Sequence, residues 1–241
     1  MMALHVARRD LLAAFSTPLA WLVIACWSLV TNAVFVFGAL YPLHGTPGSD
    51  LPLYVSTLYA GIYILMLLAP ALTMNAFAAE QGQGTMQLLM TVPVREIDLV
   101  LGKYLAAVGL LATLVGVTLA QVATLAVVSA IHLPHLVAGY LGILLASSLF
   151  AALGVWISLI VDAPVAAYVI TFAVIAVLLL VGMGQEGTTL GLVNEAIGLT
   201  GRTRHFFEGR IRSGDTAYFV GGTVAFLVLA HAALRSRRIH G

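Results

Sequence analysis

Between Tyr104 and Val161 the chain carries no Asp, Glu, Lys or Arg. A water-soluble fold is hard to build from such a stretch, because surface helices and strands need a polar face beside the apolar one. The rest of the 241 residues has the same character: 61% are hydrophobic and 9% charged, against roughly 25% charged in soluble domains. Mean hydropathy is +1.04. The solvent for this chain is a bilayer. Net charge is +1 and no dense basic run occurs, which argues against a nucleic-acid partner. Cys26 is the single cysteine, so no disulfide closes within the chain.

A helix needs about 20 apolar residues to cross the hydrocarbon core. Six segments meet this: Leu19–Leu40, Leu53–Ala79, Tyr104–Ile131, Leu136–Val161, Pro164–Met183 and Thr216–Leu234. Thr17-Pro18 places an N-cap and a first-turn proline before the first span. Pro70 predicts a kink in the second. His132-Leu133-Pro134-His135 separates the third from the fourth, and Asp162-Ala163-Pro164 makes a tight turn into the fifth. Arg8 and Arg9 precede an apolar stretch too long for a signal peptide, so the first span is expected to be retained. The chain reads as one membrane domain, 1–241, with no soluble domain.

Six spans put both termini on one side. Arg8, Arg9, Arg95, Lys103, Arg235, Arg237 and Arg238 then lie together, and the positive-inside rule makes that side cytoplasmic. Arg202, Arg204, Arg210 and Arg212 fall on the opposite side, mixed with Glu195, Glu208 and Asp215. Two further segments do not span. Ala3–Ser16 sets Leu4, Leu11, Leu12 and Phe15 against His5, Arg8 and Arg9, the pattern of an interfacial helix; an ordinary basic start is the simpler alternative. Gly187–Asp215 mixes Leu190, Leu192, Ile197, Phe206, Phe207 and Ile211 with charges. That pattern suits short helices in or dipping into the outer surface, with an unstructured loop as the competing view.

The inner loop between spans two and three is the main polar excursion. Glu80 ends span two, Gly82 and Gly84 permit a sharp turn, Thr85 can cap a short helix to about Met90, and Pro93 ends it. Asp98–Lys103 leads into span three, with Lys103 near the headgroups. A short helix held between two spans is placed to enter a cleft on a soluble partner. Leu88 and Leu89 would be its apolar anchors.

Within this region Thr73-Met74-Asn75-Ala76-Phe77-Ala78-Ala79-Glu80, Gly84-Thr85-Met86-Gln87-Leu88-Leu89-Met90-Thr91-Val92-Pro93-Val94 and Leu101-Gly102-Lys103-Tyr104-Leu105 resemble the signature of type-2 ABC transporter permeases. The tail, with Leu199-Thr200, His205-Phe206-Phe207-Glu208-Gly209-Arg210-Ile211, Asp215-Thr216-Ala217-Tyr218 and Arg235-Ser236-Arg237-Arg238, is similar to the gliding-motility-type branch. Ser158–Phe172, with Asp162 in its turn, also fits. Two departures stand out. Gln81, Gly82 and Gln83 follow Glu80 where the family turn has adjacent acids and an Arg, and Ala163-Pro164 replaces a common Asn-Gln.

The resemblance implies an all-α integral membrane fold of six transmembrane helices. It implies an amphipathic elbow helix (1–17), a cytoplasmic coupling helix in the 80–98 loop and short outer re-entrant helices (187–215). It implies a permease subunit of an ABC transporter, an exporter by this reading, in the bacterial inner membrane. Its partners would be a cytoplasmic ATPase dimer, a second permease copy or paralogue and an accessory protein with a periplasmic domain. Glu80, Gly84, Thr85, Leu88, Leu89 and Pro93 are the expected ATPase contact. ATP and Mg would be held by that partner, so no cofactor is expected on this chain.

The sequence lacks G-x-x-x-x-G-K-[ST], so it supplies no nucleotide site of its own, and no catalytic constellation appears. Gly182-Met183-Gly184-Gln185-Glu186-Gly187 matches G-x-G-x-x-G, but it follows a membrane span rather than a strand. His132 and His135 lack a third metal ligand, and His205 beside Glu208 is unspecific. Span interiors hold no acid or base away from their ends, which disfavours an ion-coupled carrier. A nucleotide-independent carrier or channel, and a membrane anchor for an ATPase machine, are the alternative functions. Ala112, Gly116, Ala120 and Thr124 form a small-residue stripe suited to close helix packing.

Overall fold

A computed structural model describes residues 2–40, 53–84, 95–128, 133–181 and 198–240, and every element in them is a helix. In chain order these are α1 (Met2–Ser16), α2 (Pro18–Leu40), α3 (Leu53–Thr73), α4 (Ala78–Gly82), α5 (Glu96–Val117), α6 (Leu119–Val128), α7 (Leu133–Ile160), α8 (Pro164–Val181), α9 (Leu199–Phe207) and α10 (Ser213–His240). Six helical stretches are long and apolar enough to cross a membrane: Ala20–Phe37, Tyr54–Gly82, Glu96–Val127, Leu133–Ile160, Pro164–Val181 and Ser213–Ser236. They coincide with the six expected spans.

The helix starts follow local chemistry. Pro18 and Pro164 are the first residues of α2 and α8, and Pro134 is the second of α7. Their missing N–H groups belong to a turn whose donors have no intrahelical acceptor anyway. Thr17 donates its hydroxyl back to the Ala14 carbonyl at 2.7 Å instead of reaching forward into α2. Glu96 and Asp98 occupy the first turn of α5, where negative charge offsets the exposed N–H dipoles. This third span therefore begins eight residues before Tyr104, and Thr118 marks a step between α5 and α6.

The bundle is organised around α7. Its span is 72% buried, against 17% for α2 and 22% each for α8 and α10, so α7 is the axis and the others carry the apolar outer surface. Small side chains let neighbours approach it: Ala138, Gly139, Gly142, Ala146, Ala151, Ala152 and Gly154 are all buried. A Cβ at Gly142 would meet Phe206 of α9, one at Gly139 would meet Leu58 of α3, and one at Gly154 would collide with Thr73. Trp27, Leu65, Leu111, Leu114, Phe150, Phe206, Phe207 and Phe219 fill the space between helices.

The expected packing stripe faces outward from the described bundle. Gly116, Ala120 and Thr124 are exposed, and a Cβ at Gly116 would meet nothing within 4 Å. The opposite face turns inward because it carries Leu111, Leu114, Val115, Thr118 and Gln121. Gln121 donates to Thr31 of α2 at 3.1 Å and Thr118 shares a 2.8 Å hydrogen bond with Tyr140 of α7. Pro70 does not end the second span. It stays inside α3, where Met74 N–H still bonds to its carbonyl at 2.8 Å. The helix breaks later, over Met74–Phe77, and resumes as α4.

Successive spans alternate in direction. Phe77, Val100, Leu159 and Leu234 pack in one apolar cluster, and the Ala3 carbonyl lies against Gly102. The start of α1, α4, the start of α5, the end of α7 and the later turns of α10 therefore meet at one end of the bundle, the junction end. The start of α7, α9 and the start of α10 meet at the far end, where Phe206 contacts Phe219 and Gly142.

Candidate coupling junction

The Met74–Phe77 break frees backbone donors that a continuous helix would satisfy internally. A side chain from α7 takes them over. Ser158 Oγ accepts from Phe77 N–H at 2.8 Å and Ala78 N–H at 3.0 Å, and donates to the Met74 carbonyl at 3.2 Å. Ser158 is fully buried. One turn on, Gln81 Nε2 donates to the Leu159 carbonyl at 2.9 Å. Thr73 turns its own hydroxyl to the Ala69 carbonyl at 2.8 Å and sits against Gly154, one turn before Ser158. Two positions of α7 thus make the break possible: Gly154 admits the end of α3, and Ser158 caps α4.

A second clamp comes from α5. Lys103 Nζ lies 2.8 Å from Glu80 Oε1 and 4.9 Å from the Phe77 ring centroid. Lys103 is 8% exposed and Glu80 27%. The Lys103 side chain is thus engaged within the bundle. Its ammonium turns inward, because α4 presents a carboxylate and an aromatic face, both favourable for a cation.

The residue before this lysine seats α1. A Cβ at Gly102 would fall 2.7 Å from Val6, and one at Gly109 3.1 Å from Leu11. Ala7 is buried, while His5, Arg8 and Arg9 stay exposed. The α1 helix thus bears on α5, α5 holds α4 through Lys103, and α4 is capped by α7. Four helices converge where the chain leaves toward residues 85–94.

Of the expected contact residues, Glu80 is in the internal ion pair. Gly84 closes the described segment with φ +69°, a left-handed conformation that favours glycine. Thr85, Leu88, Leu89 and Pro93 lie outside the described residues. A Cβ at Gly82 would sit 2.9 Å from the Asp162 carbonyl, so this glycine admits the turn between α7 and α8. Sequence reasoning did not pair Glu80 with Lys103, nor Ser158 with the α4 donors. Both partners of each pair stood in conspicuous motifs, but no local periodicity links residues so far apart.

At the far end, the Gly182–Gly187 motif and His132 lie outside the described residues. His135 abuts Gly209. His205 pairs with Asp215, Nδ1 to Oδ2 at 2.9 Å, rather than with Glu208, which takes Arg204 at 2.6 Å. Among the described residues no group of His, Cys, Asp or Glu is arranged to hold a metal ion.

Compared with known families, residues 40–194 match one described as "ABC-2 family transporter protein". The match takes in Gly102, Lys103, Gly154 and Ser158, the residues that build the junction. No curated protein matches the chain.

Proposed function

The chain belongs to the ABC-2 transporter family, and from that premise we propose that the junction is where a partner ATPase drives this permease. As a member of that family it is a multi-pass, non-catalytic permease subunit of an ABC transporter. In the proposed mechanism the Thr85–Pro93 helix is the coupling helix, and Leu88 and Leu89 anchor it in a cleft of the cytoplasmic ATPase. Gly84 and Pro93 bound it, while Glu80 and Thr85 flank the contact. Motion enters at α4 and passes along two routes, through Lys103 into α5 and α1 and through Ser158 into α7. The α1 helix acts as the elbow helix, and α9 with the segment before it as the outer re-entrant element.

One observation carries this reading. The helix break and both of its clamps stand immediately before the 85–94 loop, so a displacement of that loop is passed on to packed helices rather than lost in a free linker. In the same proposal the junction end faces the cytoplasm, the membrane is the bacterial inner membrane, and ATP and Mg are bound by the ATPase. Transport is outward, the subunit pairs with a second copy or a paralogue, and the tail's likeness to the gliding-motility branch makes an accessory periplasmic protein a further partner. The test is Leu88→Asp in the full complex. Co-purification of the ATPase is expected to be lost while the permease remains inserted. An undiminished pull-down refutes the assigned contact, and vesicle transport that needs no nucleotide refutes the powered mechanism.

A further inference from the structure

Among the described residues of the far end, both acids are already engaged. Asp215, 8% exposed, spends both oxygens internally: Oδ1 on Arg202 at 3.3 Å and Oδ2 on His205 at 2.9 Å. The Arg202 guanidinium also stacks 4.3 Å over Tyr218. Glu208 is taken by Arg204. Arg210 and Arg212 remain, both exposed and with no carboxylate partner among the described residues. Arg212 Nη1 reaches only His205 Nε2, at 3.4 Å. With the ring proton on Nδ1, that imidazole donates to Asp215 and accepts from Arg212, leaving most of the guanidinium fork unused.

These two arginines flank Ile211, itself 56% exposed, and stand directly before the apolar span that opens at Ser213. Below them α10 presents a continuous exposed strip, Gly214, Ala217, Gly221 and Val224. Among the described residues nothing lies within 4 Å of a Cβ built at Gly214 or Gly221. From Ser213 to Val224 is about 16 Å of helix, close to the thickness of one leaflet, roughly 15 Å. A second copy meeting this face about a two-fold axis would set arginine against arginine. An acidic headgroup with an acyl tail matches both parts.

We propose that this face is a docking site for one anionic phospholipid, its phosphate held by Arg210 and Arg212 and its chain laid along Gly214, Ala217, Gly221 and Val224. The guanidinium fork suits a phosphate better than a point charge does. The site also gives a use to arginines that orientation rules would exclude from the far end. The inference is independent of the proposed coupling and needs no ATPase for its test.

The delipidated chain in mild detergent is titrated with phosphatidylglycerol or phosphatidylcholine, and bound lipid is counted by native mass spectrometry. Phosphatidylglycerol should be retained roughly thirtyfold better, about fivefold per arginine. Arg210→Gln with Arg212→Gln should bring the two lipids near parity, whereas the double Lys variant should keep most of the preference. Equal retention of both lipids by the parent chain overturns the proposal. A preference undiminished in the double Gln variant does so too, since it would belong to the basic residues of the junction end. Parallel arms with inorganic phosphate and glycerophosphoglycerol complete the test. If either binds as tightly as the lipid, the site takes a soluble anion and the lipid assignment fails.

Discussion

Replacing Ser158 by Ala removes one oxygen that serves three backbone groups. Phe77 N–H and Ala78 N–H lose their acceptor, and the Met74 carbonyl loses a donor. A buried donor left unsatisfied costs about 1–3 kcal/mol, but side-chain hydrogen bonds between membrane helices average only about 0.6 kcal/mol because the unfolded chain finds other partners. The first figure should dominate here. The orphaned groups are backbone amides at a helix break, beside Phe77 and Leu159, both fully buried. A loss of about 2 kcal/mol is expected for Ser158→Ala. Ser147 on the same helix supplies the control. It is equally buried, yet its hydroxyl bonds, among the described residues, only to the Ile143 carbonyl one turn back, at 2.7 Å, so Ser147→Ala should cost under about 0.5 kcal/mol. Reversible unfolding in mixed micelles, followed by circular dichroism, compares the two. Equal, small losses would refute the cap, and with it the claim that α7 holds the break in place.

The other expectations concern neighbouring parts of the same frame. Glu80→Ala strands a nearly buried ammonium and should cost about 2–3 kcal/mol, while adding Lys103→Met should recover most of that loss; a double-mutant cycle with no coupling would remove the ion pair from the account. Gly154→Ala pushes a methyl into Thr73 and should destabilise by about 1–3 kcal/mol. Gly116→Ala, facing open space, should be neutral or stabilise by up to about 1 kcal/mol; like signs in the same unfolding assay would contradict the packing described. Reporter fusions at Gly241 and in the Gly45 loop should read cytoplasmic and translocated respectively, and the reverse pattern would invert the proposed orientation.

The span plan was legible because it depends on composition over about 20 residues, and the prolines at 18 and 164 could be placed from their missing N–H alone. Inner and outer faces were not. Ala112, Gly116, Ala120 and Thr124 share a helix face by spacing, but whether that face turns inward depends on Gln121 finding Thr31, ninety residues earlier. A kink in span two was expected at Pro70, and the interruption over Met74–Phe77 was not expected. A proline loosens a helix where it stands, yet the chain breaks where another helix offers an acceptor, and Ser158 does so beside Phe77. Glu80 was read as a partner contact and Lys103 as a headgroup residue, and neither reading pointed to the other. Each drew attention for its own motif, and their pairing became visible only once the fold brought Lys103 Nζ to Glu80. His205 was set beside Glu208 by proximity in sequence, whereas the first turn of α10 brings Asp215 closer in space.

The seat of α1 on α5 has a consequence for biosynthesis. The helix leaves the ribosome before Gly102 and Gly109 exist to receive Val6 and Leu11, so its seat can form only after the first two spans have been made. Until then Val6 and Leu11 have no partner on α5, whereas His5, Arg8 and Arg9 stay exposed even in the finished fold.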